Sequence, residues 1–141
     1  MAATSIDVEH LFTLTVEVGS DEPSQVRGGP HGDRVVASVA GGTFEGERLR
    51  GTVVPPGGDW VTRHGGGKAQ LDVRLMLVTD DGANILMQYK GIADFKAGTA
   101  RTAPQFEVGD ERYTWLNDVQ AVGIGTLKPE GGVTYDVYAL R

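Results

Sequence analysis

Cysteine is absent from the 141 residues, so neither disulfides nor thiolate chemistry is available. No apolar run approaches the ~18 residues that a membrane helix needs. No basic run exceeds two residues and the formal net charge is −6, which argues against nucleic acid and against an anionic membrane surface as partners. The opening MAATSIDVEH has no positively charged segment followed by an apolar core, so it is not read as a signal peptide, and a cytoplasmic protein is expected. The three histidines, His10, His31 and His64, lack paired metal spacing, and no metal site is expected. There is no phosphate-binding loop or dinucleotide fingerprint, because the glycine pairs precede strands rather than helices. No serine sits in a nucleophile elbow. With no cofactor implied, proton transfer is the chemistry left to these residues.

Glycine is the abundant residue, with 21 copies set largely in pairs between runs of β-branched and aromatic residues. That pattern suits many turns and few helices. The length suits one domain with a sizeable core. Residues 1–10 read as a tail and 11–141 as the domain.

The chain is organised around a hairpin. Leu71, Val73, Leu75 and Leu77 alternate with Asp72, Arg74, Met76 and Val78, the period of a strand with two unlike faces. Asp81-Gly82 then marks a tight turn, and Ile85, Met87 and Tyr89 alternate with Leu86, Gln88 and Lys90. Further strands are expected over 12–18, 34–40, 43–54, 112–125 and 133–140. A long loop is expected over 19–33, a bulge at Gly46 and Gly51, and a ladder-breaking turn over 55–60. Residues 91–112 are the least regular, and Pro104 argues against a central strand there. The sum is an all-β chain of about eight strands with little helix, a small antiparallel barrel.

The series PHGDR (30–34), GGTFEGERLRGTVVPPGGDW (41–60), LDVR (71–74), TDDGANI (79–85), RTAPQFEVGDERYTWLN (101–117) and YDVY (135–138) resembles the domain-of-unknown-function 3237 family, also called uncharacterised protein family 0311. The resemblance runs in order from Leu11 onward. It implies a small antiparallel β-barrel of lipocalin-like appearance, and almost nothing about function. RHGGGK (63–68) departs from the family's more usual Arg-x-Asp-Gly turn, which leaves no acid there and puts His64 where no family counterpart is expected.

Several residues carry possible chemistry. Asp72 and Arg74 share a face. If it is the inner one, Arg74 can hold a carboxylate or enolate oxygen while Asp72 moves a proton; otherwise the pair braces the barrel. The aliphatic stripe opposite them would then lie on the outer wall under a second subunit, which suggests a homodimer. His31, in a Gly/Pro loop, is either an exposed histidine or a general acid/base at the barrel mouth. Asp59 is either a turn aspartate or a carboxylate held against Trp60, its pKa raised by desolvation. Trp60, Tyr89, Trp115, Asn117 and Tyr138 are candidate substrate-binding residues, or core groups. Two functions fit. One is a cofactor-independent acid/base enzyme, an isomerase, lyase, hydratase or cyclase acting on a small carbonyl compound or activated alkene. The other is a non-catalytic small-molecule binder.

Overall fold

A computed structural model describes residues 2–141. Ten strands follow one another: β1 (Val8–Val18), β2 (Ser24–Gly29), β3 (Gly32–Glu45), β4 (Arg50–Arg63), β5 (Lys68–Thr79), β6 (Asn84–Asp94), β7 (Thr99–Thr102), β8 (Gln105–Val108), β9 (Ala121–Leu127) and β10 (Val133–Leu140). All pairings are antiparallel. The sheet closes because β1 pairs with β10 on one side and β3 on the other, with Leu14 opposite Tyr135 and Phe44. The result is an eight-stranded closed barrel in which β7 and β8 together serve as one stave along β6. Strand β2 folds back on the first half of β3. Closure leaves little unpaired edge for other chains to extend.

Which face of each strand turns inward follows from burial energetics. Leu71, Val73, Leu75 and Leu77 are 7%, 3%, 1% and 0% exposed and point into the barrel. Burying four such side chains is worth about 1.5–3 kcal/mol each. Placing Asp72 and Arg74 inside instead would cost several kcal/mol per ion. The register agrees: Val73 faces Tyr89 and Leu75 faces Met87 inside, while Asp72 faces Lys90 and Arg74 faces Gln88 outside. The expectation that Asp72 and Arg74 line the interior is therefore corrected. The homodimer expectation rested on the same outward aliphatic stripe and loses that ground.

Other local expectations shift. β1 begins at Val8, inside the segment read as a tail. The loop over 19–33 contains β2. Residues 55–60 do not break the ladder; they lie within β4, where the register to β5 slips between Val54 and Gly58. Gly46 belongs to the turn between β3 and β4, and a Cβ there would lie 1.9 Å from the Leu11 carbonyl oxygen. Glycine is needed at that point because two backbones meet. Of the strand expected over 112–125 only Ala121–Leu127 forms; Thr114–Asp118 is a 3-10 turn. Pro104 sits in the gap between β7 and β8, as its missing donor requires. At the β5–β6 turn Gly82 has φ of 93°, the conformation expected of it.

The barrel is plugged at one end and hollow at the other. Phe12 packs edge-on against Phe44 and Phe106, with ring centroids 5.5 and 6.0 Å away, and Leu116 of the 3-10 turn is fully buried in the same core. At the far end the chain leaves a cavity.

Candidate active site

The cavity has a volume of about 260 Å³ and is walled mainly by aliphatic side chains, among them Val16, Val35, Val39, Val61, Leu71 and Val73. Five polar residues join them: Ser38, Asp59, Arg63, Tyr89 and Tyr135. Alternation explains two of these, Asp59 and Arg63. Asp59, Val61 and Arg63 are spaced by two on β4 and share its inner face. The row Ala37–Asp59–Val73–Tyr89 runs straight across β3, β4, β5 and β6. Tyr89 and Tyr135 meet across the lumen, their rings 5.3 Å apart and inclined at 71°.

Asp59 is held by the main chain. The Asp72 backbone N–H donates to its Oδ1 at 3.2 Å, while Oδ2 accepts no hydrogen bond among the described residues. Burial in the apolar cavity pushes the carboxyl from 3.8 up to about 6; the Asp72 N–H works against this and the Asp72 charge adds to it. Burial also lifts both phenols well above their ordinary value, and the Asp59 charge contributes to each. Around neutral pH the site therefore holds an ionised carboxylate beside two protonated hydroxyls. One group can take a proton and two can donate hydrogen bonds.

Tyr135 depends on its neighbour strand. A Cβ at Gly125 would lie 2.5 Å from the Tyr135 ring, and one at Gly123 would lie 3.4 Å from it. Gly125 of β9 is the socket that lets this ring cross the barrel, whereas a Cβ at Gly123 would meet the Thr102 hydroxyl first, at 2.3 Å.

Of the residues singled out in the sequence, the structure brings Asp59 and Tyr89 together in the cavity. It places the others elsewhere. Asp72 and Arg74 lie on the outer wall. Trp60 is 46% exposed on the outer face of β4, not lining the lumen. His31 is exposed in the β2–β3 turn. Trp115 lies at the plugged end, with the Arg48 guanidinium 3.6 Å above its ring. Asn117 is structural: it donates to the Val108 carbonyl and accepts from the Val108 N–H. Tyr138 is on the outer face of β10, edge-on to His10. Tyr135, Ser38 and Arg63 were missed. Gly125 within the β-type run of β9 was the signal for Tyr135, since a glycine opposite a tyrosine makes room for its ring.

A family model described as "Protein of unknown function (DUF3237)" matches residues 6–140. The chain belongs to that family. A β-barrel-like protein from Acinetobacter baumannii shares the fold with a TM-score of 0.87 and 30% identity, over 99% of both chains. The chain is also similar to the hydroalkoxylation enzyme phnH of Penicillium herquei, 32% identical over 91 residues, which is 64% of this chain and 56% of that one. A crystal structure of an enzyme from Penicillium herquei superposes with a TM-score of 0.77 and 25% identity, over 100% of this chain and 98% of the other. Among the described residues no helix is long and apolar enough to cross a membrane.

Proposed function

We propose that this DUF3237 protein is a cofactor-independent acid/base enzyme that adds a substrate hydroxyl across an activated carbon–carbon double bond, or reverses that addition. The observation that carries it is Asp59, a carboxylate with a pKa pushed up to about 6 inside an apolar cavity. A base poised near the operating pH is the group that proton transfer needs. Similarity to a hydroalkoxylation enzyme favours addition of O–H over other proton transfers.

The step balances without a redox partner. The Asp59 carboxylate takes the proton of the substrate hydroxyl. The oxygen forms a bond to the far alkene carbon, and the π pair moves onto the conjugated carbonyl oxygen. Tyr89 and Tyr135 donate hydrogen bonds to that enolate oxygen, which carries charge only once bond formation has begun. Protonated Asp59 returns its proton to the carbon beside the carbonyl. The product has gained and lost nothing.

An ortho-hydroxyphenyl propenyl ketone tests this, because its cyclisation to 2-methylchroman-4-one creates a stereocentre. The protein should accelerate ring closure and give unequal enantiomers, whereas buffer gives a racemate. The rate should rise with pH through about 6, as Asp59 ionises. Asp59→Asn should lose acceleration and enantiomeric excess by roughly a hundredfold or more, the share typical of a general base. Racemic product at the buffer rate from the native protein, or full activity in the Asn variant, would defeat the proposal.

A further inference from the structure

The structure assigns Arg63 as the residue that selects the substrate's charge: the cavity is built for a bicyclic, planar molecule carrying an anionic group at its outer end. This deepens the proposed function and rests on that reading of the cavity.

Size comes first. A dry cavity of ~150 Å³ takes one benzene, so about 260 Å³ takes roughly ten non-hydrogen atoms, the size of a fused bicycle. The walls are aliphatic with aromatic rings at Tyr89, Tyr135 and Phe95, which suits an apolar conjugated body.

Charge comes second. Arg63 is the only cation among the residues lining the cavity, in a chain whose net charge is −6. It lies on the same inner face as Asp59 but four residues nearer the strand end, about 13 Å further out at ~3.3 Å per residue. Its guanidinium lies 5.9 Å from the Phe95 ring centroid, at the rim. Among the described residues no carboxylate lies within ion-pair distance of it. The two nearby acids have other duties. Asp33, opposite Arg63 in the ladder, accepts from the Gly28 N–H. Asp94 pairs with Lys68 and caps the Lys96 and Ala97 N–H groups. A planar fork of donors with no acid of its own, at the mouth of an apolar pocket, fits a carboxylate or phenolate on the ligand. Asp59 then meets the reacting hydroxyl at the inner end while Arg63 fixes the outer end, which sets the depth at which the substrate sits.

Binding, not turnover, tests this, so the result is independent of the reaction. Titration calorimetry of the full chain compares 2-naphthoate with 2-naphthamide, which differ in charge and hardly in shape. The native protein should bind the acid about tenfold or more tighter, the range of a hydrogen bond to a charged group. Arg63→Gln should erase that preference while leaving amide binding within about twofold, and Arg34→Gln, a cation on the outer wall, should preserve it. Added salt should shrink the preference, because Arg63 is partly in water. Equal binding of acid and amide by the native protein, or a preference that survives Arg63→Gln, overturns the assignment and leaves the Asp59 chemistry standing on its own cyclisation assay. Binding of neither probe at millimolar concentration overturns the assignment as well. Loss of cyclisation with an intact charge preference would defeat the proposed reaction alone.

Discussion

Replacing Asp59 by Asn should make the protein more stable and less active at once. In the fold the carboxyl titrates at about 6, against 3.8 when unburied. At 1.36 kcal/mol per pH unit, ionising it inside the barrel costs about 3 kcal/mol. The sign is that of a raised carboxyl. Below 3.8 the group is neutral in both folded and unfolded chains and the penalty is absent. As pH rises the unfolded chain ionises first, and the penalty is complete once pH passes about 6. Asn has nearly the same shape, keeps an oxygen for the Asp72 N–H and never ionises. Its amide N–H groups lack a matched partner in the cavity, which takes back about 1 kcal/mol at every pH. That offset cancels when two pH values are compared. The stability difference between variant and native protein should therefore move in favour of the variant by about 2 kcal/mol between pH 4.5 and 7.5. Urea titrations followed by tryptophan fluorescence at both pH values measure it, with unchanged slopes as the check that the unfolded state is comparable. A difference that stays flat with pH, or moves toward the native protein, would show that Asp59 is not desolvated and would remove the basis for its role as base.

Three further outcomes follow from the packing. Asp72→Asn should stay folded, within about 0.5 kcal/mol of native, and keep its activity, since the side chain is on the outer wall; inactivation would restore Asp72 as the base. Gly125→Ala should destabilise by about 1–3 kcal/mol or displace Tyr135, because its methyl would meet that ring at 2.5 Å; an unchanged melting curve together with an unmoved ring would contradict the socket. Gly82→Val should cost about 1 kcal/mol or more through its φ of 93° alone, nothing lying within 4 Å of the added carbon; an unchanged urea midpoint would argue against the tight turn.

The barrel was legible because alternation and glycine placement are local signals. The β5–β6 hairpin, its Asp81-Gly82 turn and the break at Pro104 could all be read directly. Which face turns inward was not local. Leu71–Leu77 and Asp72–Arg74 define two faces equally well, and the inward one emerges only when all eight staves are considered and the cheaper burial decides. That one reversal displaced Asp72 and Arg74 together, as a strand's period of two requires. Asp59 was found beside two glycines, where a turn role competed with a buried one. Its true setting depended on β4 running through Pro55-Pro56 into a continuing strand, where proline ordinarily signals an end. Trp60, conspicuous by size, pointed the wrong way for the same reason of parity.

The grip on Asp59 has a consequence for how such a barrel diversifies. Its orienting partner is a peptide N–H, which every residue except proline supplies. The side chain at 72 can drift without misaligning the carboxylate. The aliphatic residues around the hollow end can be exchanged for others of different bulk while the phenylalanine plug at the opposite end keeps the chain folded. The orientation of the proposed base is thus fixed by the backbone, while the shape of the cavity is set by its walls. A barrel held this way could turn to new compounds by changing the bulk of its inner walls while a carboxylate at position 59 stays gripped in place.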